Sequence, residues 1–515
     1  MKYYMVWNYL GIQKKAALIS TFIFGILAHG MMIFNKFSNH DDLIYIFQGG
    51  VTFTSGRWML YVAEKIRKIF FQDNLYSIPS FNGFFVFLCI AISSCILIDL
   101  FDIRSRFFSI LISGIMVCTP VITSTLGHMF TAQFFSLSIL LAVTGSYLIL
   151  KKDRWFFIIS GIILLTCSVG IYQAYIPTFL CILLFGLIKI ISEANTSDKV
   201  KCVKKIIIVI VSCISVLILY ITTTYISLRL TKLQLSNYKG INSAHTISLA
   251  VYIQRAVFAY KEFFFLTKKA VYNIFPGTAY TIYIVMVFLF MIMLILQTIR
   301  SFRQNKLYGL LMLLFSFLSP LCINFIFVMT DVSSAYAMTS YAYTIFIVFF
   351  IYLTEKFIGT NKSILSQIFK TISHFILGLL LVIFIRYDNA CYTRMEFTHQ
   401  QTLRYYSSLI TRMQSTPGYR LDMRVAYIGE NRWVPWDPTV SQESEFDFIT
   451  TYPFWGLRGN IGNYQKSFMK LWFDFSPREA EPSLFEKLPE VKAMPSYPDD
   501  GSIKVINDTL VVKFW

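Results

Sequence analysis

The sequence predicts an α-helical polytopic membrane protein, and three observations carry that reading. Hydrophobic residues fill 56 % of the 515 positions, charged residues only 14 %, and mean hydropathy is +0.59. A soluble domain carries roughly a quarter charged residues. Apolar runs of about 18 residues or more, each long enough to cross a bilayer, recur through the first three quarters of the chain. The connections between them alternate between rich in Lys and Arg and devoid of them, as in a chain that threads a membrane.

Taken in order, about eleven spans are expected, near 16–34, 80–101, 107–124, 128–150, 155–170, 172–192, 206–228, 279–299, 307–328, 335–354 and 365–386. The first is too long for a signal-peptide core, and NKFSNHDD follows it in place of a small-residue cleavage site, so it is expected to persist as a span. The fifth and sixth are short and should turn near Val169-Gly170-Ile171. Lys14/Lys15, Arg104/Arg106, Lys151/Lys152/Arg154, Lys199/Lys201/Lys204/Lys205, Arg300/Arg303/Lys306 and Lys356/Lys362 fill every second connection. The connections near Thr125, Gly170 and Thr330 hold no Lys or Arg. Positive charge stays inside, so an N-in/C-out arrangement is predicted, with the long loops 35–79 and 229–278 outside.

From about Asp388 the composition changes, which divides the chain into a transmembrane domain, 1–387, and a small α+β extracytoplasmic domain, 388–515. RVAYIGE and SIKVINDTLVVKFW read as strands, the second folding into a hairpin about Asn507-Asp508. This tail holds 14 Lys and Arg against 16 Asp and Glu, so the net +18 belongs to the membrane part and is no argument for nucleic acid. The nine cysteines show no pairing pattern and no CxxC, and most lie in apolar runs as small hydrophobes.

Acids number only 28, yet Asp41 and Asp42 stand side by side at the exit of the first span. Either can cap a helix starting near Leu43. Either can also act as a general base, a neighbouring acid raising the pKa of one member of the pair. Arg57 is placed to hold a phosphate by a bidentate contact. The helix GRWMLYVAEKIRKIFF sets Met59, Val62, Ile66, Ile69 and Phe70 on one face, with Glu64, Lys65 and Lys68 largely opposite, which suits a membrane surface. The outer loop 229–278 is basic, and its LAVYIQRAVFAYKEFFFL also reads as an interfacial helix. Arg255, Lys261, Lys268 and Lys269 there either bind a lipid phosphate or anchor the loop. In GIYQAY, Tyr172 and Gln173 either touch a polar ligand or join helices. Asp331, in TDVSSA, is a second acid at the same level. The six histidines show no metal-ligand spacing, and no Gly-rich nucleotide loop is present, so neither a metal nor a nucleotide-bound donor is expected.

The acidic pair after the first span, the stretch ending SGRW, the GIYQA junction and the terminal MPSYPDDGSIKVINDTLVVKFW together resemble the glucosyl transferase type II family, the serotype-converting O-antigen glucosyltransferases. That resemblance implies a membrane glycosyltransferase of the GT-C type, with residues 1–387 as its catalytic domain. It implies an undecaprenyl-phosphate hexose, most typically glucose, as donor, and no other cofactor. The acceptor would be a lipid-linked surface polysaccharide on the outer face of the bacterial cytoplasmic membrane. A separate donor synthase and flippase would be partners, and the catalytic acid would fall at Asp41 or Asp42. Leaving phosphate would be stabilised by Arg57 or by the second loop, and the aromatic tail would bind acceptor sugar or simply form its own core.

Two other classes compete with this reading. A polysaccharide polymerase or ligase would rely on Arg and His in large outer loops rather than on an acid after the first span. An ion-coupled transporter usually carries ionisable residues at mid-membrane, whereas Asp99 and Glu355 fall at span ends. A lipid-linked sugar flippase without coupling ions is the remaining alternative.

Overall fold

The computed structural model describes residues 10–37, 40–195, 198–236, 247–267, 274–330, 335–360, 364–432 and 458–515. Its membrane part begins with α1 (Ile12–Phe34), followed in the first long loop by α2 (His40–Tyr45) and α3 (Trp58–Phe71). Next come α4 (Pro79–Leu100), α5 (Arg106–Cys118), α6 (Pro120–Gly127), α7 (Met129–Lys151), α8 (Trp155–Ile171) and α9 (Ile176–Glu193). The second half holds α10 (Lys199–Thr231), α11 (Leu249–Phe265), α12 (Thr278–Gln304), α13 (Lys306–Ile323), α14 (Ile326–Met329) and α15 (Ala342–Thr360).

Among the described residues, nine helices are long and apolar enough to cross a membrane, against the eleven spans expected. The two expected segments beyond these are α8, only 17 residues long, and α15, which begins at Ala342 rather than near 335. α8 stops because Tyr172 takes an extended conformation and a 3₁₀ turn, Gln173–Tyr175, leads into α9. The third expected span is two helices broken at Thr119, where Pro120 opens α6 as its first residue. Both α5 and α6 are central, with every α6 side chain buried. By contrast α10 shows Ile207, Ile210, Ile214, Leu217 and Ile218 on its outside, a lipid-facing surface.

The bundle has two chemically different ends. At one, carboxylates and ammonium groups tie the helices together. Lys14 pairs with Asp99 at 2.5 Å, Lys189 bridges Asp102 and Glu193 at 2.5 and 2.9 Å, and Lys205 reaches Asp153 at 2.7 Å. Glu355 accepts the Ser105 amide at 2.6 Å. The connections free of Lys and Arg gather at the opposite end together with the 35–79 loop.

The longest element is α16 (Ile364–Gln414), 51 residues, and it runs straight through the expected domain boundary at 387/388. The compositional change there does not end the helix: Cys391, Tyr392 and Met395 still pack in the apolar core of the membrane part. The far end of the helix joins the tail. There Tyr406, Leu409 and Met413 of α16 form one core with Val425, Leu510 and Val512 from a three-stranded sheet and with Phe514 just beyond it. The sheet order is β1 (Arg424–Ile428), β5 (Thr509–Lys513), β4 (Ile503–Ile506), with β1 parallel to β5 and β4 antiparallel to it. Asn507 and Asp508, at φ 49° and 58°, make the β4–β5 turn, as their residue types require. A short two-stranded ribbon joins β2 (Asn431–Arg432) to β3 (Arg458–Gly459), and α17 (Asn463–Phe473) closes the core with Phe468 and Met469. Leu43 of α2 belongs to that same core, so the tail is docked on the first long loop.

Candidate active site

The two adjacent aspartates have different surroundings. α2 begins at His40, so both lie in its first turn rather than at the N-cap expected near Leu43. Asp42 is fully buried, its Oδ2 paired with Lys36 Nζ at 2.5 Å, and Lys36 also donates to Ser77 Oγ at 2.7 Å. Asp42 Oδ1 accepts the Phe130 amide at 3.1 Å, the second residue of α7. It therefore caps a helix, but one 88 positions further along the chain. Asp41 points the other way and lines a cleft.

That cleft measures about 630 Å³, and its polar groups come from separate parts of the chain: Asp41, Thr54 and Arg57 from the first loop, Ser124 and His128 from α6 and its end, and Tyr172 from the α8–α9 turn. Tyr336 and Met338 close another side. Tyr45 also lines it, its ring stacked on Phe130 with centroids 5.2 Å apart. Burial and the Asp41 carboxylate push the Tyr45 phenol above its ordinary pKa, and the same causes, with Tyr45 added, raise Tyr464 of α17. The Asp41 carboxylate is thus felt by one phenol from its own loop and one from the tail.

Arg57 is held in place by two motifs that touch. In SGRW, Gly56 sits at φ +71° after the 3₁₀ turn Phe53–Ser55, and a Cβ there would meet Tyr220 Oη at 2.6 Å. Only glycine meets both demands. Arg57 follows, its amide bonded to the Thr52 carbonyl at 2.8 Å, and Trp58 opens α3. The indole of Trp58 lies against Gly170, where a Cβ would meet the ring at 2.8 Å. Gln173 donates to the Ser55 carbonyl at 2.7 Å and to Tyr220 Oη at 2.9 Å, tying α10 to the same turn. The Arg57 guanidinium lies over the Tyr172 ring at 4.8 Å, and that ring stacks on Phe135 at 4.4 Å. Arg57 Nε is buried and has no hydrogen-bond partner among the described residues. A cation on an aromatic face gains about 1 kcal/mol and keeps its in-plane donors available for an anion.

The other residues singled out from the sequence fall elsewhere. Gln173 is a helix-joining residue outside the cleft lining. Arg255 and Lys261 lie on α11, which packs on the α13–α14 corner through Asn324 Nδ2 to the Ala259 carbonyl at 2.9 Å, and neither lines the cleft. Lys268, Lys269 and Asp331 lie outside the described residues. On α3 the expected lipid face is exposed, Ile69 and Phe70 at 74 % and 77 %. Glu64, however, turns into the protein and accepts the Gly50 amide at 3.0 Å. Its neighbour Arg67 is buried too, bonded to Asp73 and lying 4.1 Å over Tyr76. His128 and Tyr464 were missed from sequence, since nothing in their local pattern distinguishes them. Among the described residues no three His, Cys, Asp or Glu side chains gather where they could hold a metal ion.

A bundle of membrane-crossing helices with a polar cleft at one end, joining a carboxylate, a guanidinium and several aromatic and hydroxyl groups, defines a polytopic membrane protein with an enzyme-like pocket. The family model described as glucosyl transferase GtrII matches residues 30–349, and the chain belongs to that family. It is a glycosyltransferase. Neither a curated protein nor a solved structure matches the chain significantly.

Proposed function

We propose that the cleft transfers glucose from a polyprenyl-phosphate donor to a lipid-linked polysaccharide such as O-antigen, with Asp41 as general base. The observation that carries this reading is the division of labour in the acidic pair: Asp42 is fully buried under Lys36, while Asp41 lines the cleft that also holds Arg57. A donor with one phosphate and a lipid tail needs a cation at the level of the headgroups and a base just beyond it. An acceptor hydroxyl attacks the anomeric carbon, and the bond from that carbon to the phosphate oxygen breaks with its electron pair. The hydroxyl proton passes to Asp41, and the configuration at the sugar inverts. The departing phosphate gains a negative charge, and Arg57 meets it with donors that Tyr172 keeps oriented.

The wider reading is a GT-C type enzyme, N-in/C-out, of the bacterial cytoplasmic membrane. The charged end would face the cytoplasm and the cleft the exterior, with donor made and flipped by separate proteins. The positive-inside pattern supports that orientation. The cleft sits beside the docked tail, so an incoming polysaccharide would meet Tyr464 and its aromatic neighbours first.

The test is glucose transfer by purified protein from polyprenyl-phosphate glucose to a lipid-linked oligosaccharide. Asp41→Asn should lose about 10²–10⁴-fold in kcat while still binding donor. Asp42→Asn should keep measurable turnover and lose stability instead. If Asp41→Asn turns over like wild type, the assignment of the base is wrong. If wild type uses no monophosphate donor, the donor class is wrong.

A further inference from the structure

At the end of the bundle away from the cleft, two adjoining hollows of about 230 and 260 Å³ share Met293, Leu296 and Phe357. They lie where α12, α15 and α16 meet. The apolar one is walled by side chains that are otherwise open to the surroundings, Ile292 at 38 %, Ile368 at 51 % and Ile372 at 47 % exposure, with Phe369 set edge-on to Phe357 at 5.2 Å. Its lining exposes no polar surface. The second hollow continues it toward the charged end and adds Gln297, Arg300 and Lys356.

The charges at this mouth are unequal in use. Lys356 is tied into the protein, donating to Ser192 Oγ at 2.7 Å and Tyr352 Oη at 3.1 Å and pairing with Glu193 at 3.4 Å. Arg300 is exposed, forms no ion pair among the described residues, and lies near enough to Lys356 to repel it. Two like charges at the head of an apolar groove suit one class of molecule. An acyl chain fills the groove, and an anionic headgroup sits between Arg300 and Lys356 and relieves their repulsion. A zwitterionic headgroup brings no net charge to do so.

We propose that this groove is a binding site for an anionic phospholipid in the leaflet opposite the cleft. The chain is held by α12, α15 and α16, and the phosphate by Arg300. The proposal is independent of the assignment of the base and of the sugar donor, and its readout is lipid binding rather than transfer.

The experiment is native mass spectrometry of delipidated protein titrated with phosphatidylglycerol, phosphatidylcholine or undecaprenyl phosphate. Wild type should bind the first phosphatidylglycerol more tightly than phosphatidylcholine. Arg300→Gln should weaken it about fivefold with little change for phosphatidylcholine, and Arg300→Lys should restore most of the preference. Ile292→Trp, which fills the apolar hollow from the lipid side, should weaken phosphatidylglycerol without touching the charge. Equal binding of phosphatidylglycerol by wild type and Arg300→Gln overturns the site. Tighter, Arg300-dependent binding of undecaprenyl phosphate than of phosphatidylglycerol overturns the choice of a phospholipid.

Discussion

Three residues show how closely chemistry and scaffolding are interleaved at the cleft. Asp42, between Lys36 and the Phe130 amide, locks α2 to the start of α7, and so fixes where its neighbour Asp41 stands. Asp42→Asn keeps the amide bond but strips the charge from a pair in which Lys36 retains some solvent contact. Thermal or denaturant unfolding should show a loss of roughly 2–4 kcal/mol. Arg57 lines the cleft with its guanidinium over Tyr172, and is the group proposed to meet the leaving phosphate. Arg57→Gln should reduce kcat/KM for the lipid-phosphate donor by about 10–100-fold, the range of a lost charge-assisted hydrogen bond, and steady-state kinetics with varied donor will measure it. Gly56 carries a constraint of its own: Gly56→Ala forces a side chain into both a left-handed backbone and the Tyr220 hydroxyl. It should lower activity at least as far as Arg57→Gln, because it moves the arginine as well as straining the turn.

At the scale of elements, α3 is the informative case. It lies with Ile69 and Phe70 outward and Glu64 and Arg67 turned into the protein, while Lys65 and Lys68 stay exposed. Burial raises Glu64 to about 7, the Gly50 amide and the nearby Arg67 and Lys65 opposing the shift. The folded-state value lies above the unfolded one, so native protein binds the extra proton. The contribution to stability is present at low pH and declines as pH rises from the ordinary carboxylate range through about 7. Above that value the ionised carboxylate sits in a poorly solvated place. Although the Gly50 amide bond itself favours the charged form, the desolvation cost should loosen the packing of α3 on the first loop, which lines the cleft. Hydrogen exchange of residues 46–60 should therefore accelerate between pH 6 and 8, and Glu64→Gln should flatten that dependence. An exchange profile that rises equally in both proteins, beyond the chemical effect of pH, would count against it.

Across the whole molecule, α16 is the element that joins membrane and tail. Starting among the apolar helices, it contributes the buried Asp388, whose Oδ1 accepts Thr123 Oγ1 at 2.6 Å, and then Tyr406, Leu409 and Met413 to the tail core. The tail in turn packs on Leu43, one residue beyond the acidic pair. His399 makes the same link from its side, its ring 6.0 Å from Phe37 and 4.7 Å from Trp472. Loss of tail packing should therefore be felt at the cleft. Phe468→Ala, at a site 2 % exposed, should cost about 3–5 kcal/mol in tail stability and lower sugar transfer although Phe468 does not line the cleft. Limited proteolysis of the tail and transfer assays on the same samples test the two effects together. The proposed orientation predicts a complementary pattern of labelling. In a cysteine-free background, Ser415→Cys should react with an impermeant maleimide from outside the cell and Lys152→Cys should not.

Much of this protein was determined by its sequence alone. Long apolar runs must become helices wherever water is absent, because only a helix satisfies its own backbone hydrogen bonds, and so the helical membrane architecture and nearly every helix position were legible. The Asn507-Asp508 hairpin was legible for a local reason, since few residues tolerate two positive φ angles in succession. The motifs flanking the cleft were legible as motifs too. What the sequence left open was which of two identical neighbours faces the cleft, and only the tertiary structure decided it. Asp41 and Asp42 differ through Lys36, Ser77 and Phe130, partners that no local pattern ties to them. The burial of Glu64, the place of His128 in the cleft wall and the approach of Tyr464 from the tail are of the same kind. Each depends on contacts between segments far apart in the chain. Such contacts are set by packing, which a one-dimensional pattern of apolar and charged residues does not encode.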